Sequence, residues 1–547
     1  MKATAASVAL LTAALFPSFG ACVNPVVNLT YTSYNGTHLI SGITQWLGMR
    51  YAAPPLGDLR FQPPQDPSSN DTVQDARKQG KVCLKTGDSP SSTTTAEDCL
   101  LIDVYAPSRA TIDSKLPVYF FIQGGGFNSN SDPHLNGTGL IEASNHSIVF
   151  VTFNYRVGPY GFLTDGDQVT GNNGIRDQRK ALQWVKQHIT QFGGDPNHVV
   201  LGGDSAGAAS ISLHLIANGG KDEGLFHAAA AESVSFATVL TANQSRYQYD
   251  NFAIRLGCAA GNGTGTGHAN TSSLACLRSK TAAELQAMNY NIPFPGAAAP
   301  PLYMWNPVID NDLFTDLTYT AFEKGNFIKV PVIFGDDTNG GTVFAPSNTS
   351  TLAESNQFLK DQFPYLTLDQ LAKLNQLYPN PSNCASGTAG CYWRQLSNVY
   401  GEMRYMCPGL YINSMFIRYG INASYAYRWN VEDPDQMARG LGVPHTVEVS
   451  AIFGPYNVKG NAPASYYPNG TNAEAVPVVQ GYWTSFIRSF DPNSYRLSGT
   501  AEWVPWSSRP RQRLRFDAGG NTTMETIDDG LKDRCDYLNS IGPSIRQ

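Results

Sequence analysis

Short runs of apolar residues alternate along the chain with longer segments in which apolar residues recur at helical spacing. The strand-like runs cover residues 118–122, 148–154, 199–202, 330–334 and 423–429, and two clear helical segments cover residues 175–192 and 480–490. Uninterrupted apolar runs of this length are typical of strands buried on both faces. Their alternation with helices predicts a mostly parallel sheet with helices on both faces. We therefore predict an α/β fold.

The chain is long for one domain, but nothing in it marks a domain boundary. Its 547 residues contain no internal repeat, and its Pro- and Gly-rich segments lack the length and charge of interdomain linkers. A large α/β protein can carry such a length as a single elaborated unit. We therefore predict one domain over residues 21–547.

The N-terminus has the layout of a secretory signal peptide. Lys2 precedes an apolar run at residues 8–16, and small residues follow, so cleavage is expected after Gly20. A membrane anchor would need about 20 apolar residues, and this run is shorter. Residues 535–547 are too polar for a lipid-anchor signal. We expect a secreted protein with residues 1–20 as its signal peptide and no stable membrane anchor.

The net charge bears on possible partners, and the sequons agree with secretion. The net charge of −6 at pH 7 provides no basic surface for nucleic acid, so nucleic-acid binding is excluded as a function. Twelve Asn-x-Ser/Thr sequons are expected where glycosylation is available. They lie at Asn28, Asn35, Asn70, Asn136, Asn145, Asn243, Asn262, Asn270, Asn348, Asn422, Asn469 and Asn521.

The nine cysteines are spaced in a way that suits an oxidising compartment. Local pairing would join Cys83 to Cys99, Cys258 to Cys276 and Cys384 to Cys391, leaving Cys407 and Cys535 for a long-range bridge and Cys22 unpaired. Spacing alone does not fix this connectivity. A zinc site is the weaker interpretation, because the chain has no Cys-x-x-Cys and no His pair near its cysteines.

The most informative motif is Gly-Asp-Ser-Ala-Gly at residues 203–207, which follows an apolar run and precedes a segment of small and aliphatic residues. A strand, a sharp turn and a helix in this order expose a serine hydroxyl as a nucleophile. Ser205 is therefore the candidate nucleophile. The backbone N–H of Ala206, directly after it, is a candidate donor to an oxyanion. Asp204 could tune the field around the site or be held in local hydrogen bonds.

A second glycine-rich segment supplies the other oxyanion donors. Three glycines, Gly124 to Gly126, follow the apolar run that ends at Ile122. Without Cβ atoms, a substrate carbonyl can approach their N–H groups closely. We name Gly125 and Gly126 as donors beside Ala206. A simple glycine-rich turn is the alternative.

A serine nucleophile needs a general base, and His445 is the candidate among nine histidines. It lies after the serine in a loop-like segment near the C-terminus, which fits the order serine, acid, histidine of α/β hydrolases. His188, His214 and His227 lie in or against predicted helices and are expected to be structural. Four others lie in loops rich in sequons, and His198 adjoins a strand.

The chain resembles the type-B carboxylesterase/lipase family, which includes fungal lipases and cholinesterases, and the secreted fungal branch is nearest. The resemblance runs along nearly all of the mature sequence and rests on residues 97–105, 124–127, 154–158, 174–178, 192–196 and 203–210. It implies an α/β-hydrolase fold with a central, mostly parallel mixed sheet. It also implies hydrolysis of carboxylic esters by Ser205 and His445, with the oxyanion hole named above and no metal or organic cofactor. Cys83–Cys99 and Cys258–Cys276 are the disulfides it supports.

One position departs from the family pattern. The acid of the triad is usually a Glu in a Gly-Asp-x-x-x-Glu-Gly-Thr segment, and the matching position here is Gly340. Asp336 or Asp337 in the same segment is our first candidate for a replacement. A carboxylate from elsewhere is a second account, with Glu232, Glu402 and Glu448 as candidates. The third is a Ser-His dyad with water in the gap.

The substrate is expected to be a small-molecule ester. In fungal lipases of this family the loop that corresponds to Cys83–Cys99 is a lid, but here residues 84–98 are short and mostly polar, which favours soluble esters. The apolar segment 292–305 could line an acyl pocket or be buried packing. Two alternatives stay open: a lipase acting on long-chain lipid esters, and a catalytically weak or silent binding protein that has lost its acid at Gly340.

Overall fold

The structure is a computed structural model that describes residues 24–89, 92–259, 272–380, 389–460 and 462–547. The expected signal peptide at residues 1–20 lies outside the described residues. So do Cys22, Cys384 and the sequons at Asn262 and Asn270.

A sheet of eleven strands, counted over the described residues, forms the centre of the molecule. The strands are β1 (Thr37–His38), β2 (Ile43–Arg50), β3 (Leu101–Pro107), β4 (Leu116–Ile122), β5 (Val149–Phe153), β6 (Gly194–Asp204), β7 (Ala228–Glu232), β8 (Val332–Asp337), β9 (Ser424–Asn430), β10 (Gln512–Asp517) and β11 (Asn521–Thr526). Their order across the sheet is β11-β10-β9-β8-β7-β6-β4-β5-β3-β2-β1. From β5 through β10 neighbouring strands are parallel. The flanking pairs are antiparallel.

The mostly parallel mixed sheet confirms the predicted fold class. All five predicted strands exist, and each belongs to the parallel part. The helices are α1 (Thr138–Ala143), α2 (Gly158–Phe162), α3 (Asn173–His188), α4 (Ala206–Gly220), α5 (Ala242–Arg255), α6 (Ser273–Ser279), α7 (Ala282–Ala287), α8 (Thr318–Lys324), α9 (Leu352–Gln362), α10 (Leu368–Leu377), α11 (Trp393–Gly401), α12 (Cys407–Arg418), α13 (Pro434–Ala438), α14 (Val449–Ile452), α15 (Ala475–Ser489) and α16 (Asp529–Ile541), with a π-helical turn at Glu402–Met406 between α11 and α12. Short strands pair outside the main sheet at Val26–Asn28, Ser33–Asn35 and Val73–Asp75, at Val82–Cys83 and Thr95–Ala96, and at Leu240–Thr241 and Val308–Ile309.

Successive side chains of the central strands belong in turn to two layers of the hydrophobic core, one on each face of the sheet. On β4, Phe120 and Ile122 join the layer that packs against α3 and α4, whereas Tyr119 and Phe121 join the layer against α14 and α15. Successive side chains of a strand point to opposite faces, so a wholly apolar run requires cover on both. This is why the uninterrupted runs predicted the buried strands correctly.

Three disulfides lie within the described residues. Cys83–Cys99 and Cys258–Cys276 are the pairs that the family resemblance supports, and Cys407–Cys535 is the long-range bridge. None of the helices in the described ranges combines the length and apolar character needed to span a membrane.

Candidate active site

Ser205 stands at the turn between β6 and α4 in a backbone conformation that few non-glycine residues adopt, with φ 53° and ψ −116°. Such strain is found at functional sites that the surrounding fold holds in place. The two flanking glycines explain how it is held. A Cβ on Gly207 would lie 1.8 Å from the carbonyl oxygen of Ile122, and one on Gly203 would lie 2.8 Å from the same atom. Only glycine lets β4, β6 and α4 approach this closely.

The glycine loop after β4 abuts the serine. A Cβ on Gly124 would lie 2.9 Å from Cβ of Ser205, and its N–H donates to Oδ1 of Asp204 at 2.9 Å. Asp204 therefore ties the loop to the serine turn, which is the local hydrogen-bonding role considered above. The N–H groups of Gly125, Gly126 and Ala206 donate to no acceptor among the described residues. They are free to receive an oxyanion beside the serine.

His445 is held at the same edge of the sheet by a chain of hydrogen bonds. The N–H of Ser205 donates to the carbonyl of Glu232 at 2.9 Å, and Oγ of the next residue, Ser233, donates to Oδ2 of Asp337 at 3.0 Å. The same oxygen accepts the N–H of Thr446 at 2.6 Å. Because parallel strands end at one edge, β6, β7 and β8 bring the serine and the histidine loop together.

The imidazole of His445 sits among aromatic rings. Its ring centroid lies 4.2 Å from that of Tyr405 and 5.1 Å from that of Phe344. Both ring nitrogens are buried, and neither has a hydrogen-bond partner among the described residues. Burial, together with the positive charge of Arg404, lowers the pKa of His445 to about 3. The imidazole is therefore neutral at pH 7 and available as a base.

Neither of the two aspartates predicted as replacements contacts the imidazole. Asp337 is buried near Glu448, and its Oδ2 accepts from Oγ of Ser233 and from the N–H of Thr446. Burial, reinforced by the negative charge of Glu448, raises the pKa of Asp337. Asp336 lies on the opposite face of β8, where Oδ2 would meet a Cβ on Gly409 at 3.5 Å. Burial raises the pKa of Asp336 to about 8.

The three more distant carboxylates are also engaged elsewhere. Oε1 of Glu232 accepts from Nε1 of Trp483 at 3.1 Å. Glu402 forms a two-pronged ion pair with Arg534. Oε1 of Glu448 accepts from the hydroxyl of Tyr427 at 3.0 Å. Within the described part of the chain, no acidic side chain is hydrogen bonded to His445.

Gly340 lies where a carboxylate for the histidine would start. A Cβ added to it would be 3.9 Å from Nδ1 of His445 and would meet no described atom closer than 3.8 Å. The neighbouring Gly341 is the opposite case, since its Cβ would lie 1.9 Å from the carbonyl oxygen of Ser397. A Cβ would therefore fit at Gly340, in ordinary contact with Nδ1, and would not fit at Gly341.

Sequence reasoning missed the aromatic and cationic wall around the histidine. Arg404, only 4% exposed, donates from Nε to Oγ of Ser235 and lies over the rings of Tyr303 and Tyr405. Tyr303 in turn covers Gly126, whose Cβ would lie 2.2 Å from the tyrosine ring. The available signal was an arginine inside the otherwise apolar helical stretch 403–407.

The two segments considered for substrate binding have different surroundings. The described part of the Cys83–Cys99 loop is fixed to the body, because Thr86 N–H donates to the carbonyl of Asn128 and Gly87 N–H to that of Asn289. In the apolar segment 292–305, Phe294, Met304 and Trp305 are buried packing. Its Tyr303 lies against Gly126 at the site. Among the described residues, no group of three or more His, Cys, Asp or Glu side chains could hold a metal ion.

The chain is similar to known proteins in sequence and in fold. The sequence profile of the carboxylesterase family matches residues 23–536. Secreted lipase 4 of Gibberella zeae is 29% identical over 531 residues, covering 94% of this chain and 91% of the relative. Lipase 1 of Geotrichum candidum is 32% identical over 397 residues, covering 63% of this chain and 69% of the relative. The crystal structure of Aspergillus niger EstA matches with a TM-score of 0.90 and 42% identity, covering 96% of this chain and 99% of that one. The chain therefore belongs to the carboxylesterase family, and it is a carboxylic ester hydrolase.

Proposed function

We propose that the protein is a secreted esterase that uses Ser205 as nucleophile and His445 as general base, with no side-chain carboxylate on the histidine. The observation that carries this is the strained Ser205 turn, which lies beside three unpaired N–H groups at the sheet edge where His445 is held. The donors to the oxyanion are the N–H groups of Gly125, Gly126 and Ala206.

The reaction proceeds through an acyl-enzyme. Nε2 of His445 takes the proton of Ser205 as Oγ attacks the ester carbonyl, and the three N–H groups stabilise the oxyanion of the tetrahedral intermediate. The protonated imidazole then gives its proton to the leaving alcohol. Water, activated by His445, repeats the sequence and releases the acid. Only groups of this chain and water take part.

The missing carboxylate sets the strength of this catalysis. A triad acid fixes the histidine tautomer and stabilises the imidazolium that forms, and its loss costs about 10⁴-fold in kcat in a complete triad. Here Nδ1 has no acceptor among the described residues, and Arg404 further disfavours the imidazolium. We therefore expect a functional but slow hydrolase.

Hydrolysis of p-nitrophenyl butyrate by the purified protein tests the proposal. Ser205→Ala should abolish turnover, while Ser212→Ala, on the same helix with its hydroxyl bonded to the carbonyl of Ala209, should retain it. No turnover from the folded wild type would instead favour the silent binding protein.

Small soluble esters are the proposed substrates. The described part of loop 84–98 is hydrogen bonded to the body. The segment is mostly polar in sequence, so it lacks the apolar residues of an interfacial lid. Tyr303 and Phe344 leave an aromatic wall for a short or medium acyl chain. Activity should follow the concentration of dissolved ester and show no rise above the solubility limit. A jump at that limit would instead favour a lipase acting on long-chain lipid esters.

A further inference from the structure

A polar cavity lies between the N-terminal segment and the second half of α3. It has a volume of about 210 Å³ and is bordered by residues 30–31, by Tyr51, by residues 66–67 and by one face of α3. A water molecule needs about 10–15 Å³ by this measure, so the cavity has room for about ten waters or more, or for one sugar ring. The strand that follows α3 is β6, which runs across the sheet and ends beside Ser205. The cavity therefore lies toward the edge of the sheet opposite to the catalytic one.

One face of α3 supplies half of the lining. Its members lie three and four positions apart, a spacing that places side chains next to one another along a helix. They are Lys180, Gln183, Trp184, Gln187 and His188. The tryptophan and the histidine are buried, whereas the two glutamines are exposed. The helix thus provides a buried aromatic floor and an accessible rim of side-chain amides.

His188 is a buried polar group of this floor that lacks a partner. It is 4% exposed, and neither of its ring nitrogens is hydrogen bonded within the described residues. Its ring centroid lies 5.8 Å from that of Tyr31 and 5.3 Å from that of Trp184, and Nε1 of Trp184 donates to the hydroxyl of Tyr31 at 3.0 Å. Burial lowers the pKa of His188, so the imidazole is neutral at pH 7 and offers one N–H donor and one acceptor. The ring is therefore fixed in place with its nitrogens available to a ligand.

The lining is polar but carries no net charge. Its two charged side chains, Lys180 and Asp66, form an ion pair with each other. The side-chain amides of Gln183 and Gln187 and the hydroxyl of Thr30 have no hydrogen-bond partner in the described part of the chain. Amide, hydroxyl and neutral imidazole groups pair well with the hydroxyls of an uncharged ligand, whereas an ion would meet no uncompensated opposite charge. A pyranose, with hydroxyls around its edge and C–H groups on its faces, has this chemistry.

Two of the predicted sequons lie beside the cavity. Thr30, on its border, is the third residue of the sequon at Asn28. The N–H of Asn70 donates to the carbonyl of Tyr31 at 2.7 Å, so the sequon at Asn70 lies against the same wall. Both asparagines are exposed. A glycan of this chain and a polysaccharide from outside are therefore two sources of the same sugar chemistry.

We propose that this cavity is a carbohydrate site, which binds one neutral pyranose unit through the amides of Gln183 and Gln187 and the ring nitrogens of His188. A chain held on a polysaccharide at this site keeps Ser205 free at the opposite edge of the sheet. The site goes beyond the proposed function and does not depend on it, because none of its residues takes part in ester hydrolysis.

Sugar binding by the purified protein tests the site. The probes are methyl β-D-glucopyranoside and N-acetyl-D-glucosamine, and binding is followed by saturation-transfer difference NMR. We expect saturable binding of at least one probe with a Kd in the millimolar range, which is typical of one ring held by a few hydrogen bonds. Hydrolysis of p-nitrophenyl butyrate, measured beside it, should be unchanged by either sugar.

Variants of α3 locate the bound sugar. The double variant Gln183→Leu/Gln187→Leu keeps the size of both side chains and should weaken binding by about tenfold or more, because the hydrogen bonds of two amides are lost. His188→Phe keeps an aromatic ring, removes both nitrogens and should also weaken binding. Lys186→Gln is the matched control, since Lys186 is exposed on the same helix but does not border the cavity. Ester hydrolysis should be the same in all of these variants, which shows that they are folded.

Removal of the two sequons separates the sources of the sugar. If a glycan of this chain fills the cavity, added sugar should bind to Asn28→Gln/Asn70→Gln and not to the glycosylated wild type. If the site serves an external polysaccharide, the wild type should bind as well and should sediment with insoluble β-glucan. The proposal is overturned if neither protein binds either probe saturably. It is also overturned if binding persists unchanged in both the double glutamine variant and His188→Phe.

Discussion

The surroundings of Ser205 and those of His445 differ in how completely they are packed and hydrogen bonded. We call them the serine side and the histidine side of the reaction centre. Around Ser205, Gly203 and Gly207 are required by a backbone atom at close range, and Asp204 fixes the oxyanion loop to the turn. Around His445, the N–H of the next residue is fixed by Asp337, but Nδ1 has no hydrogen-bond partner in the described part of the chain and faces Gly340, which offers no side chain. The serine turn and the oxyanion loop are thus fixed by the fold, whereas the ring nitrogens of His445 have no hydrogen-bond partner among the described residues. Positioning of the serine and electrostatic stabilisation of the imidazolium are separable contributions to catalysis. This molecule has the first and lacks a carboxylate for the second.

The prediction with the largest expected effect compares kcat in Ser205→Ala with kcat in Asp337→Asn. Ser205→Ala removes the nucleophile and should lower kcat by about 10²-fold, because the effects of triad members are not additive and this enzyme already lacks its acid. Asp337→Asn keeps an oxygen acceptor for Thr446 N–H and should lower kcat by no more than about tenfold, far from the about 10⁴-fold loss of a triad acid. Initial rates on p-nitrophenyl butyrate decide the matter. An equal collapse in both variants would make Asp337 the acid, and the histidine side would be complete after all.

Backbone packing gives the second test. Gly207→Ala would place a Cβ 1.8 Å from the carbonyl oxygen of Ile122 and should destabilise the fold by about 3 kcal/mol or more. In Gly340→Ala the new Cβ would meet no described atom closer than 3.8 Å, so the free energy of unfolding should change by less than about 1 kcal/mol. Gly341→Ala, with its Cβ 1.9 Å from the carbonyl of Ser397, is the control within the same loop. Urea unfolding midpoints measure all three, and a large loss in Gly340→Ala would show that this position is filled.

The sequence predicted the serine side better than the histidine side, for a physical reason. Ser205, its glycines and the loop at Gly124 lie within two local motifs, each a strand followed by a tight turn, so their chemistry can be inferred from neighbouring residues. The contact of Asp337 with Thr446 joins β8 to a loop more than a hundred positions later. Whether a carboxylate reaches His445 depends on that register, and no local pattern encodes it.

The fold shows the same division. Five of the seven strands that pair in parallel were predicted, because burial on both faces makes such strands uniformly apolar. The parallel strands β7 and β10 were not predicted, and neither were the flanking strands β1, β2, β3 and β11. In β10 and β11, Arg513, Arg515 and Glu525 form ion pairs on a partly exposed edge, so the apolar signal is diluted. Edge strands are defined by their pairing partners, which periodicity does not reveal.

The third prediction concerns a carboxylate introduced beside His445. Gly340→Glu places a carboxylate within reach of Nδ1 and should raise kcat/KM by about 10²-fold, since a triad acid contributes up to about 10⁴. The carboxylate also stabilises the imidazolium, so the pKa of His445 should rise from about 3. The acid limb of the profile of kcat/KM against pH, where protonation removes the base, should move to higher pH. Gly340→Gln is the neutral control and should leave the limb in place. A Glu variant no faster than the Gln variant would contradict the comparison.

The smallest effect concerns Arg404, which acts on His445 through its charge. The cation lowers the pKa of the imidazole, so removing it in Arg404→Met should raise that pKa by about one unit or less. The acid limb of kcat/KM should shift upward in Arg404→Met and stay unchanged in Arg404→Lys, which keeps the charge. Added salt should not mimic the shift, because Arg404 is only 4% exposed and ions in solution do not screen it. An identical shift in both variants would mean that Arg404 acts by packing against Tyr303 and Tyr405, and the histidine side would then lack only a carboxylate.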